Sequence, residues 1–135
     1  MIVVIDASAA VDLVVNAPAR SAEARLLSDA KWVLAPTLFV SEVTNVFWKY
    51  HRFRNLEREK AEAGLSLALD LPDSLSDDLD LHSEAFAVSC LARHSVYDMM
   101  YLVLARRNNA VLFTRDRRLR ELAGEHDVRA WVEPE

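Results

Sequence analysis

The sequence predicts an α/β protein of three layers, an α/β/α sandwich whose central, mostly parallel sheet holds four or five strands. Two observations carry that prediction. Residues 1–5 and 110–113 are short apolar runs without alternation, the pattern of strands buried on both faces. Between such runs lie longer stretches with apolar residues at helical spacing, and strands that alternate with helices imply parallel pairing through right-handed crossovers.

In chain order, residues 1–5 form the first strand. A helix is expected over 9–15, broken near Asn16 and Pro18, and an alanine-rich helix over 21–30. A short strand over 32–35 is ended by Pro36. The next helix should cover 37–51, with Leu38, Phe39, Val43, Val46, Phe47 and Tyr50 on one stripe. Another runs over 56–69, interrupted only by Gly64. Pro72 permits a short edge strand near 73–75. Helices over 81–93 and 96–107 follow, and Asn108 and Asn109 suit a left-handed cap. After the strand at 110–113 come a short helix over 117–123 and a last strand over 128–131. No internal repeat or linker interrupts the 135 residues, which predicts one domain spanning 1–135.

Composition excludes several chemistries. One cysteine, Cys90, cannot form an internal disulfide and reads as a packing residue, so a reducing cytoplasm is expected. The opening apolar run stops at Asp6, short of a signal-peptide core, and nothing approaches the roughly 20 apolar residues that span a bilayer, so no membrane partner is expected. His51, His82, His94 and His126 lack zinc-ligand spacing. Two glycines cannot build a phosphate loop, and no nucleophile elbow surrounds a serine. Trp32, Trp48 and Trp131 read as core or interface residues. The net charge of −5 is not that of a typical nucleic-acid binder. Basic residues nevertheless cluster at Lys49, Arg52, Arg54, Arg58 and Lys60, and again at Arg115, Arg117, Arg118 and Arg120. Such runs serve equally as solvated faces or as a grip on phosphates.

Four carboxylates stand out by position. Ligands of an open parallel sheet bind beyond the carboxyl ends of its strands. Asp6 follows the first strand directly, and Asp116 lies three residues past Phe113, so both should open on one sheet edge. Glu42 sits about 80° from the centre of its helix's apolar stripe, at the border with the polar face, with Asn45 one turn later. Asp98 lies in the first turn after Ser95. Each also has an ordinary role open to it. Asp6 and Asp116 can cap the helices that follow, Ser95 and Asp98 match a capping box, and Glu42 can be a plain boundary glutamate.

Four stretches taken together resemble a PIN-domain nuclease, specifically the VapC-type toxin of a type II toxin–antitoxin pair. They are Val4-Ile5-Asp6-Ala7-Ser8; Pro36 through Ser41-Glu42-Val43-Thr44-Asn45-Val46; Val96-Tyr97-Asp98-Met99-Met100-Tyr101 with Leu102-Val103-Leu104-Ala105; and Leu112-Phe113-Thr114-Arg115-Asp116-Arg117-Arg118-Leu119. The resemblance implies a PIN-like fold and an endoribonuclease dependent on Mg²⁺ or Mn²⁺. It implies Asp6, Glu42, Asp98 and Asp116 as the acidic quartet, with Asp6 and Asp98 the principal metal ligands. Ser8, Asn45 and Thr114 would support them, Asn45 by holding Glu42. Arg115, Arg117 and Arg118 are candidate contacts to the RNA backbone. A VapB-like antitoxin and a second copy of the chain are the implied protein partners, with Phe47, Trp48, Phe53 and Leu56 as candidate contact residues. Two alternatives stand beside it: a haloacid-dehalogenase-like phosphohydrolase with Asp6 as nucleophile, since a strand-end aspartate in a parallel α/β fold suits that too, and a non-catalytic protein-binding module of the same fold. The first usually has a second aspartate two residues on, where this chain has Ser8.

Overall fold

A computed structural model describes residues 1–134. Five strands, β1 (Ile2–Ile5), β2 (Trp32–Pro36), β3 (Ser74–Ser76), β4 (Val111–Phe113) and β5 (Arg129–Ala130), form one sheet in the order β3-β2-β1-β4-β5, every pair parallel. The helices are α1 (Ala7–Val15), α2 (Ser21–Asp29), α3 (Leu38–Arg54), α4 (Arg58–Leu69), α5 (Asp78–Ala92), α6 (Val96–Arg107) and α7 (Arg117–Glu125). The three-layer α/β/α arrangement matches expectation.

Central position explains the uniform apolar runs. Val3, Val4 and Ile5 in β1 and all of β4 are buried, as strands covered on both faces must be. Helix α6 shows the same logic in helical form. Every residue from Met99 to Ala105 is buried because α6 lies against β1, β2 and β4 while α5 covers its outer side. Helices α1, α3 and α4 pack on one another.

The boundaries differ in physically explicable ways. Helix α3 runs three residues past His51 and stops at Asn55, which adopts a left-handed conformation with φ 57°. Helix α5 begins earlier than residue 81 because the Asp77 side chain caps it, accepting from the Leu79 amide. Strand β3 is shifted one residue from the expected 73–75, and the Asp73 side chain instead accepts from the Val33 amide at 2.8 Å. A 3₁₀ turn, Ala17–Ala19, fills the break after α1. Asn109 takes the left-handed conformation expected of the Asn pair, with φ 49°.

One side-chain expectation is corrected. Cys90 is exposed on α5 rather than packed. Trp32 and Trp48 are about half exposed and do not enter the core, whereas Trp131 stacks edge-on against Phe113. Phe47 is buried at the base of a groove that it helps to line between α3 and α4, and Gly64 shows why. A methyl group on Gly64 would lie 2.6 Å from the Phe47 ring, so glycine allows α4 to approach α3 that closely. Gly64→Ala is therefore expected to destabilise the fold by about 1–3 kcal/mol through overpacking. Gly124→Ala, whose added methyl meets nothing within 4 Å, should stabilise helix α7 by up to about 1 kcal/mol. Urea denaturation of both variants checks the contrast, and equal effects would contradict this packing account.

Candidate functional site

The pairing of β1 with β4 builds the floor of the site. Ile5 is in register with Phe113, and the Asp6 amide donates to the Phe113 carbonyl at 3.1 Å just beyond the last pair. That register sets Asp6 beside Thr114 across 108 positions of sequence. The buried Thr114 hydroxyl donates to Asp6 Oδ2 and accepts from the Asp116 amide at 3.0 Å. Asp6 Oδ1 accepts from the Ser8 hydroxyl at 2.7 Å and the Ala9 amide at 2.9 Å, so Asp6 caps α1 while facing the sheet edge. Asp116 likewise caps α7, its Oδ1 accepting from the Arg118 and Leu119 amides at 2.9 and 3.2 Å. Capping and exposure to a ligand coexist at both positions, because a carboxylate has more acceptor sites than its cap consumes.

Helix α3 is carried to the same edge by a reciprocal clamp. The Leu38 amide donates to Asp78 Oδ1, and the Asp78 amide donates to the Thr37 hydroxyl, both at 3.1 Å. One turn into α3, Glu42 is half-buried, and its Oε1 accepts from the Tyr101 hydroxyl at 2.6 Å. Glu42 is held by Tyr101, and among the described residues no hydrogen bond joins it to Asn45, which lines the same cleft. Asp98 departs from the capping-box pattern too. Ser95 caps α6 through the Tyr97 amide at 3.2 Å, while Asp98 Oδ2 pairs with His94 Nε2 at 2.6 Å.

The outcome is one open cleft of about 300 Å³ whose walls include Asp6, Glu42, Asp98 and Asp116. Ser8, Asn45, Lys49 and Tyr101 line it as well, and Thr114 lies beneath. The larger grooves of the surface lie elsewhere and hold no such cluster of acids. Tyr101, His94 and Lys49 are additions to the residues expected from sequence. His94 was detectable as an i, i+4 neighbour of Asp98. Arg115, Arg117 and Arg118 stand outside the cleft walls. Arg115 reaches Asp12 at 3.5 Å, and Arg117 and Arg118 reach Glu121 at 3.8 and 3.3 Å.

Electrostatics mark the site as costly. Burial pushes the Asp6 carboxyl up to about 6 despite hydrogen bonds from Thr114, Ala9 and Ser8, and the charge of Asp98 adds to the rise. Burial likewise raises Glu42, with Asp98 and Asp78 contributing, against the lowering effect of the Tyr101 bond. Tyr101 is driven far above its ordinary value by burial and by the acids around it, so its hydroxyl stays protonated and remains a donor. Among the described residues, no three acids or histidines are close enough to share one ion already. A hard cation that keeps several waters needs only one or two direct carboxylates, however, and these walls offer oxygen ligands only. The donor set therefore fits Mg²⁺ or Mn²⁺, which would also relieve the repulsion between the acids.

Comparison with known proteins agrees with this architecture. The sequence profile described as PIN domain matches residues 3–125. Among solved structures, the chain is similar to the crystal structure of PAE2754 from Pyrobaculum aerophilum, with a TM-score of 0.70 and 23% identity over 87% of this chain and 81% of that one. That likeness speaks for the fold. No curated protein matches the sequence.

The raised Asp6 group makes a prediction about stability in EDTA. Its folded form holds a proton more tightly than the unfolded chain, so its contribution to folding is complete below pH 3.8 and lost as pH rises through about 6. The full loss is on the order of 3 kcal/mol. Asp6→Asn removes this titration. Urea denaturation at pH 4 and pH 8 should show the variant gaining on the wild type by 1–3 kcal/mol, as an order of magnitude, at the higher pH. A relative gain by the wild type would show that the buried charge is not strained.

Proposed function

Because the chain belongs to the PIN domain family, whose members are nucleases in general, we propose that it is a Mg²⁺- or Mn²⁺-dependent endoribonuclease acting as the VapC-type toxin of a toxin–antitoxin pair. The observation that carries the reading is the shared cleft: acids from positions 6, 42, 98 and 116 line one 300 Å³ space at the carboxyl edge of a parallel sheet. The whole chain is proposed to act as a single PIN domain.

A phosphodiester is an anion, which four bare carboxylates would repel. When bound, Mg²⁺ or Mn²⁺ supplies positive charge at the phosphate and makes water a better nucleophile. In this reading Asp6 and Asp98 are the principal ligands and Asp116 completes the set. Thr114 and Ser8 fix the Asp6 carboxylate, and His94 fixes one oxygen of Asp98. Glu42 has Oε1 engaged by Tyr101 and directs Oε2 to orient and deprotonate the attacking water. Hydrolysis then breaks one P–O bond, leaving a phosphate on one RNA end and a hydroxyl on the other.

The phosphohydrolase alternative fares worse. Position 8 offers the hydroxyl of Ser8, and that hydroxyl is spent on Asp6 itself. The Asp6 carboxylate carries three hydrogen bonds and is only 5% exposed, which blunts it as a nucleophile.

An antitoxin partner fits the apolar groove between α3 and α4, bordered by Thr44, Trp48, His51, Ala61 and Leu65. Phe53 and Leu56 lie outside its walls. A homodimer is proposed through the outer face of α5, where Leu79 and Phe86 are exposed two turns apart on one stripe.

Purified protein is expected to cut folded RNAs with Mg²⁺ present and to stop in EDTA. Asp6→Asn or Asp98→Asn should slow cleavage at least about a hundredfold while circular dichroism stays unchanged. Full cleavage by the double variant, in preparations free of contaminating nuclease, would overturn the assignment. Purification from its native cell should bring down a short co-purifying protein whose release exposes the activity; a chain that remains unpartnered and harmless argues against the toxin role.

A further inference from the structure

We propose that the face of α3 beyond Glu42, carrying Lys49, Arg52 and Phe53, is the track along which the RNA lies. This rests on the ribonuclease reading and assigns its substrate-gripping surface. Helical geometry places Glu42, Val46, Lys49 and Phe53 on a single stripe, with Arg52 at its side. Lys49 is itself a wall of the acidic cleft, so the stripe begins inside the candidate site and runs outward without a gap. Seven residues separate Lys49 from Glu42 and eleven separate Phe53, distances of about 10 and 16 Å along the helix axis.

Charge complementarity decides for nucleic acid over protein. Among the described residues Lys49, Arg52 and Arg54 pair with no acid, whereas Arg115, Arg117 and Arg118 are each engaged by Asp12 or Glu121. Arg117 and Arg118 share the single acid Glu121 and Arg115 shares Asp12 with Arg20, so their charge is partly offset, whereas among the described residues Arg52 meets no carboxylate and Lys49 lines the cleft without a direct ion pair. The cations also surround an exposed aromatic. Phe53 is 66% exposed, meets Trp48 edge-on at 5.8 Å and carries the Arg52 guanidinium 5.3 Å from its ring centre. Alternating cations and an aromatic platform grip a backbone and stack a base.

The test is binding of a labelled unstructured oligoribonucleotide in EDTA. EDTA keeps the strand uncut and the salt titration free of Mg²⁺ competition. Lys49→Gln and Arg52→Gln should each weaken binding and lower the slope of log affinity against log salt by about 0.7. Phe53→Ala should weaken binding at least about fivefold. Arg117→Gln and Arg118→Gln should change affinity less than twofold. Unchanged slope and affinity in the α3 variants, or loss confined to the α7 arginines, overturns the track. So does an α3 variant that keeps RNA affinity but loses a protein partner. Cleavage of the same strand with Mg²⁺ separates the two readings: intact cleavage with indifferent α3 variants refutes only the track, and a wild-type chain that neither binds nor cuts RNA refutes both.

Discussion

The parallel pairing of β1 with β4 is the constraint on which the rest of the molecule depends. It aligns Ile5 with Phe113 and carries one further hydrogen bond, from the Asp6 amide to the Phe113 carbonyl. From that bond follows the contact between Asp6 and the Thr114 hydroxyl, and from Thr114 the placement of Asp116. A slip of one residue would turn every side chain of β1 to the opposite face and take Asp6 away from its partners. Because both strands are apolar on both faces, the polar contacts at their carboxyl ends, Asp6 with Thr114 and the Phe113 carbonyl, mark this register rather than the hydrophobic pattern.

Around this floor the fold holds carboxylates in a state they would not choose. Asp6 is buried and Glu42 half-buried, both raised chiefly by desolvation, and Asp98 adds its charge to each. Neutral donors hold the oxygens in place: Thr114, Ser8 and the Ala9 amide on Asp6, Tyr101 on Glu42. None of these donors cancels charge. The arginines nearest in sequence turn instead to Asp12 and Glu121. A site that fixes anionic oxygens and leaves their charge standing is organised for a cation from outside.

Much of this was legible in the sequence, and the remainder was not for definite reasons. Uniform apolar runs give away the buried strands, and their carboxyl ends locate Asp6 and Asp116. Glu42 was readable as a boundary residue from its angle on α3. Its actual partner was not, because Tyr101 lies 59 positions away on a helix buried on all sides, where a tyrosine reads as core. Asn45 lines the same cleft without bonding to Glu42 among the described residues. The basic run at 115–118 looked like a phosphate grip until its own helix supplied Glu121 four residues past Arg117, a pairing that the i, i+4 rule anticipates. Cys90 and Trp48 showed the limit of composition: apolar character does not say which face of a helix a residue takes.

The claim at the centre is that acids from four separate elements meet to take one class of ion. Anomalous diffraction from crystals soaked in Mn²⁺ tests it most directly. A manganese peak is expected in the cleft within bonding distance of Asp6 and Asp98, with Asp116 and Glu42 close enough to reach it directly or through water. Saturating Mn²⁺ that leaves the cleft without a peak, or binds only at another surface, would contradict it.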